Sequence, residues 1–226
     1  MGLAWGVGYY LTVFLFDKYK EDSTPLLKFF IGIFISSWVG AKVFFLLFSA
    51  QHKINQYIYA NYFWLGGGFV FYGGLIFGLI FYLIYSLGFK KFDFKKSILL
   101  IPGLIFGHAI GRIGCFLTGC CYGIQCDLPW AVQMNGEFRH PVQLYEAFSL
   151  LILGYFSLKW IKDKKSNLNI ITNYVLIYSA IRFLIEIFRG DEIRGVFWLS
   201  FSTSQYISIG LMSLAILSKK IFNKKN

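Results

Sequence analysis

SILLIPGLIFGHAIGRIGCFL, residues 97–117, contains no acidic side chain and only two residues that resist burial in hydrocarbon, His108 and Arg112. As a helix rising about 1.5 Å per residue it would cross about 30 Å, the thickness of a bilayer's apolar core. His108 and Arg112 are four residues apart, so a helix places both on one face. The residues that follow, TGCCYGIQCDLPWAVQMNGEFRH at 118–140, are too polar to cross and read as a connection.

The rest of the chain repeats this texture. Of 226 residues, 57% are hydrophobic and 21% aromatic, while only 15% are charged, against about a quarter in a soluble domain. Apolar runs fall at roughly 2–17, 26–49, 68–89, 97–117, 141–160, 169–188 and 200–221. The reading is an all-α polytopic integral membrane protein of about seven spans, one domain over 1–226, with a polar outer segment at 118–140. The run from Gly2 has no basic residue before it and no small-residue cleavage site after it, so it reads as a retained span. The segment 50–67 looks like an aromatic interfacial stretch.

The net charge of +11 does not point to nucleic acid, because the lysines mark membrane topology. Fifteen of them lie near residues 18–28, 90–96, 159–165 and 219–225, whereas the alternate connections hold only Lys53, Arg139, Arg189 and Arg194. By the positive-inside rule the N-terminus is expected outside and the C-terminus in the cytoplasm.

Charges inside the runs mark the expected site. They are Lys42, His108, Arg112, Glu146, Arg182 and Glu186, with Arg189 one turn beyond Glu186. One reading makes them ion pairs that fix helix packing. The other starts from the surplus of cations over carboxylates and supplies the missing anion from outside, as a lipid phosphate that guanidinium forks suit. Gly73 and Gly74, and Gly111 and Gly114 beside Arg112, admit either a headgroup or a neighbouring helix.

Cys115, Cys120, Cys121 and Cys126 contain no C-x-x-C, and His52, His108 and His140 lack zinc spacing, so no metal or cofactor is expected. On an oxidising outer face, a bridge from Cys120 or Cys121 to Cys126 is one expectation and free thiols are the other, with Cys115 left within the span as a small inert residue.

Five motifs in order resemble the bacterial prolipoprotein diacylglyceryl transferases: FYGGLIFG at 71–78, GRIGCFLTGCCYG at 111–123, RHPVQLYE at 139–146, YSAIRFLIEIFRGD at 178–191 and FSTSQYIS at 201–208. The resemblance implies an enzyme of the bacterial cytoplasmic membrane with its site toward the outer face. It would move a diacylglyceryl group from phosphatidylglycerol to the lipobox cysteine of a prolipoprotein signal peptide, releasing glycerol 1-phosphate. By position it implies Arg112, Arg182, Glu186 and His140 as catalytic, and Tyr72, at the position of the family's usual base, is a candidate for the same role. It implies Gly73, Gly74, Gly111, Gly114, Arg139, Tyr145, Tyr178, Arg189 and Gln205 as substrate-binding. Tyr72 stands where the family has histidine, Cys115 where it has asparagine and Cys120 where it has glutamate. Other readings are a lipid transferase with another acceptor, a non-catalytic lipid-binding relative, and a membrane thiol–disulfide protein.

Overall fold

The computed structural model describes residues 2–48, 55, 58, 70–88, 94–190 and 201–223. Among these are seven α-helices: α1 (Gly2–Lys18), α2 (Leu26–Phe48), α3 (Phe71–Gly88), α4 (Leu100–Leu117), α5 (Val142–Lys162), α6 (Asn167–Ile187) and α7 (Thr203–Asn223). A 3-10 turn at Phe94–Leu99 leads into α4, and a hairpin pairs β1 (Val132–Met134) with β2 (Glu137–Arg139). Each apolar run became a helix within three residues of its expected ends. Residues 50–67, the expected interfacial stretch, lie outside the described residues apart from Asn55 and Ile58.

Among the described residues, four helices are long and apolar enough to cross a membrane: α2, α4 with its lead-in, α5 and α6; the apolar part of α3, Gly73–Gly88, is shorter. Polarity runs opposite to that of a soluble protein. Leu75, Leu79, Leu83 and Leu87 form an exposed ridge along α3, and Leu214, Leu217 and Ile221 are exposed on α7. Gln143, Glu146, Ser157, Ser179 and Glu186 are buried. Such apolar ridges would drive association in water but match lipid chains. The protein is a helical membrane protein.

The chain forms two compact units, residues 16–96 and residues 1–15 with 97–226. In the first, α2 and α3 run antiparallel, because Gly32 meets Phe81 while Gly40 meets Gly73 and Phe77. The stripe Gly32–Ser36–Gly40 lets the backbones approach closely. Ser36 donates to the Phe77 carbonyl at 2.9 Å, and Tyr85 to the Pro25 carbonyl at 2.9 Å.

In the second unit α1 crosses α4 at Gly8 and Gly103, where a Cβ on either would press on the other's carbonyl. The Phe106 ring of α4 lies over Gly154 of α5. Residues 143, 146, 147, 150, 153, 154, 157, 160 and 161 make the buried face of α5, a helical period with two polar residues at its start. Lys219 of α7 donates to Asn173 of α6 at 2.8 Å, while Arg182 reaches Ser204 at the other end, so these helices are antiparallel.

The segment 118–140 is folded on itself. Asn135 and Gly136 have φ of +53° and +83°, the doubly left-handed turn that matches strand twist in a two-residue hairpin. Residues 123–126 run between two partners: Cys126 N–H donates to Phe138 O at 3.0 Å, and Ile124 N–H to Phe188 O at 2.9 Å.

Candidate functional site

The charges of the second unit meet at Glu146, only 2% exposed on α5. Its carboxylate lies 3.0 Å from Arg112 Nε of α4 and 3.8 Å from Arg182 Nη1 of α6. His108 Nε2, one turn before Arg112, is 3.7 Å away, and the Tyr178 hydroxyl donates to the same carboxylate at 3.3 Å. Arg182 Nη2 pairs with Glu186 at 2.8 Å and donates to Ser204 Oγ at 3.2 Å; Arg189 Nη1 lies 3.6 Å from Glu186. The i, i+4 spacings thus place His108 with Arg112, and Arg182 with Glu186, on inward faces, and the structure adds Tyr178 one turn before Arg182.

Among the described residues, three guanidiniums here meet two carboxylates. Buried Arg112 Nε and Arg182 Nη1 have no hydrogen-bond partner among the described residues. Both are within ion-pair reach of Glu146, yet their N–H groups are not aligned on it. Buried charges left so imperfectly paired cost several kcal/mol unless a further partner satisfies them. A Cβ added at Gly111 or Gly114 meets no atom of the described residues within 4 Å, so among those residues neither glycine packs against a neighbouring helix.

Other expected residues lie elsewhere. Gly73 faces Gly40 and Phe44, and Gly74 faces the Ser37 carbonyl, both at the α2–α3 crossing. Tyr72 belongs to the first turn of α3, and its side chain is outside the described part. Lys42 is buried in α2 with Nζ 5.9 Å from the Trp38 ring centre.

The polar segment takes three more, Arg139, His140 and Tyr145, and the start of α7 takes Gln205. Arg139 pairs with Glu137, donates to the Gly123 carbonyl at 3.2 Å and lies 4.6 Å over the Tyr122 ring. His140 Nδ1 is 3.2 Å from the Tyr145 hydroxyl, which accepts from Trp130 Nε1 at 2.8 Å. Gln205 closes a capping box at the start of α7: Ser202 N–H donates to Oε1 at 2.9 Å, and Gln205 N–H donates to Ser202 Oγ at 3.3 Å.

The four cysteines are free, so the expected bridge to Cys126 is not formed. Instead the sulfurs of Cys115, Cys120 and Cys121 all lie within 4.8 Å of one another. The cause is the end of α4. Gly119, at φ +67°, closes a Schellman turn in which Cys120 N–H donates to Cys115 O at 3.1 Å and Gly119 N–H to Phe116 O at 3.1 Å. That turn stacks its last residue on the residue five before it, here Cys120 on Cys115. The Cys121 thiol has its pKa pushed up, first by its hydrogen bond to Cys115 and then by burial.

The sequence counts Glu146 and His108 among the charges that mark the site but assigns neither a catalytic or binding role. The signals were present: Glu146 is three residues after Gln143 on one helix face, and His108 is four before Arg112. What was missing was that α4, α5 and α6 converge.

Comparison with known proteins shows the family. The family model for prolipoprotein diacylglyceryl transferase matches residues 1–219. The phosphatidylglycerol–prolipoprotein diacylglyceryl transferase of Clostridium tetani is 32% identical over 237 residues, covering 98% of this chain and 91% of its own length. Transferase 2 of Clostridium perfringens is 30% identical, covering 96% of this chain and 88% of its own length. The Haemophilus influenzae enzyme is 30% identical, covering 87% and 80%. The chain belongs to the prolipoprotein diacylglyceryl transferase family of membrane enzymes.

Proposed function

We propose that this protein transfers a diacylglyceryl group from phosphatidylglycerol to the lipobox cysteine of a prolipoprotein signal peptide, with release of glycerol 1-phosphate. The observation that carries the reading is the pair of buried guanidiniums, Arg112 and Arg182, which converge on Glu146 and each keep one nitrogen with no hydrogen-bond partner among the described residues.

The reaction forms a C–S bond and breaks a C–O bond to phosphate. Arg112 and Arg182 hold the phosphate and stabilise the charge it gains as it leaves. Donors set in advance in a low-dielectric site act this way at about 10²–10³-fold in rate each. Glu146 holds both guanidiniums in place, while Glu186 and Arg189 orient Arg182 from the other side. Gly111 and Gly114 admit the headgroup. Tyr178 and Ser204 complete the polar lining, and the exposed apolar helix faces admit the acyl chains from the bilayer.

The acceptor thiol must also lose a proton. Tyr72, His140 and Glu186 are candidates by resemblance, and the geometry adds His108, whose ring lies beside Arg112 and partly open. His140, Tyr145 and Arg139 order the polar segment where a signal peptide would arrive. The lysine distribution supports seven spans with the N-terminus outside, the C-terminus in the cytoplasm and this segment on the outer face of a bacterial cytoplasmic membrane.

The test is incubation of the folded, lipid-embedded protein with labelled phosphatidylglycerol and a lipobox peptide. The expected result is label on the peptide's cysteine and free glycerol 1-phosphate. Absence of transfer by protein shown to be folded overturns the reading.

A further inference from the structure

The sulfurs of Cys115, Cys120 and Cys121 gather at the outer end of α4, with no described carboxylate or imidazole in the group. Their arrangement is held from several sides. Cys121 adopts φ +59°, a left-handed conformation that β-carbon residues avoid, and such strain persists only where the surroundings impose it. Buried Gln143 donates its side-chain amide to the Cys120 carbonyl at 2.6 Å, and the Thr118 hydroxyl donates to Cys120 Sγ at 3.4 Å. Cys120 is exposed, and the other two are half-buried.

The cluster also lies next to the proposed site. Cys115 is three residues beyond Arg112 on α4, and Gln143 is three before Glu146 on α5. Three residues of helix are about 4.5 Å along the axis, so the thiols stand roughly one turn outward from the phosphate-binding guanidiniums.

We infer that Cys115, Cys120 and Cys121 hold one zinc(II) ion as a three-thiolate site whose fourth position receives the thiol of the acceptor cysteine. This rests on the proposed transferase function for the identity of the acceptor. Tetrahedral zinc with bonds of about 2.3 Å brings thiolates to about 3.8 Å from one another, so closing from 4.8 Å needs only small side-chain rotations. Three soft sulfurs favour a thiophilic ion, and zinc adds redox inertness and an open fourth position, as its catalytic sites do.

The chemistry meets the reaction's second need. A free thiol with pKa near 8.5 is mostly protonated at neutral pH, whereas a thiol that binds zinc is deprotonated outright. The proton leaves to water at the open outer end. The bound thiolate attacks the glycerol carbon; the C–S bond forms as the C–O bond breaks, and the electron pair goes to the phosphate oxygen held by Arg112 and Arg182. Four thiolates leave the zinc complex doubly negative, which keeps the attacking sulfur electron-rich. The thioether product is neutral, a weaker ligand, and dissociates.

The test uses the full chain in phosphatidylcholine nanodiscs. Zinc loading is expected to give one ion per chain and to protect three of the four thiols from maleimide. Cobalt(II) in place of zinc is expected to show thiolate charge-transfer absorption and tetrahedral d–d bands. Cys115→Ser, Cys120→Ser and Cys121→Ser should each weaken zinc binding by about 100-fold or more, and Cys126→Ser should leave it unchanged. A lipobox peptide should shift the cobalt spectrum, and its Cys→Ser version should not. With phosphatidylglycerol present, chelation should cut transfer about 100-fold and zinc should restore it.

Wild-type thiols that react equally with and without zinc overturn the site, whatever the variants do. A peptide that leaves the cobalt spectrum unmoved, with transfer indifferent to chelation, overturns the activating role. Metal binding with a peptide-dependent shift but no lipid transfer supports the thiol site and overturns the transferase reading.

Discussion

Two helix contacts in this protein solve the same problem with opposite chemistry. Between α2 and α3, glycines bring backbones together and aromatic rings fill the remaining space; Phe81 lies over Gly32, and Phe44 over Gly73. Among α4, α5 and α6, buried charges hold the helices, and the glycines next to them, Gly111 and Gly114, border open space. In lipid the hydrophobic effect does not drive helices together, so association rests on packing or on polar bonds. The first contact uses packing and leaves no room for a ligand. The second uses polar bonds, and among the described residues it leaves Arg112 Nε and Arg182 Nη1 without a hydrogen-bond partner and Gly111 and Gly114 without a packing neighbour. The same residue, glycine, is structural in one place and permissive in the other.

The largest effect is expected at the hub of the charged contact. Glu146→Gln leaves three guanidiniums against one carboxylate, and breaking a buried pair costs about 3–5 kcal/mol. Chemical denaturation in detergent should show that loss, with transfer abolished as well. Next are Arg112→Lys and Arg182→Lys, which keep the charge but lose the fork. Each should lower transfer by about 10²–10³-fold while the protein still inserts; full activity in both would remove the phosphate role from this cluster.

The glycines test the comparison directly. Gly73→Ala forces a methyl against the Gly40 carbonyl, and such overpacking should cost about 1–3 kcal/mol with a parallel fall in unfolding midpoint. Gly111→Ala should leave the midpoint unchanged within about 0.5 kcal/mol, yet raise the KM for phosphatidylglycerol if the headgroup passes there. Equal destabilisation by both substitutions would erase the distinction. The smallest effect is expected in the hairpin, where Gly136→Ala at φ +83° should cost about 1 kcal/mol, read as a modest drop in thermal midpoint with transfer nearly intact.

Much of the helical layout was legible because apolar length and helical spacing are local properties. The pairs His108–Arg112 and Arg182–Glu186 each lie on one face by their spacing alone, and the structure has His108, Arg112 and Arg182 facing Glu146. Gln205 and Arg139 were less legible. Both matched motif positions, yet Gln205 closes a capping box on Ser202, and Arg139 is occupied by Glu137, Gly123 and Tyr122. A polar residue in a motif looks the same in sequence whether its partner is a ligand or the chain itself. The hairpin at Asn135–Gly136 carried a readable turn signal that the polarity of 118–140 overshadowed.

The opening stretch contains both kinds of information. Residues 97–117 determined by themselves that a helix would cross the membrane carrying His108 and Arg112 on one face, because period and apolar length follow from the order of residues. They could not determine what that face meets. Only the tertiary structure brought Glu146 and Arg182 to Arg112 from helices 34 and 70 positions further along the chain, and only the left-handed turn after α4 folded Cys120 and Cys121 back on Cys115. The spacing of those cysteines matches no familiar metal motif, since linear spacing records distance along the chain, whereas a Schellman turn sets distance through space.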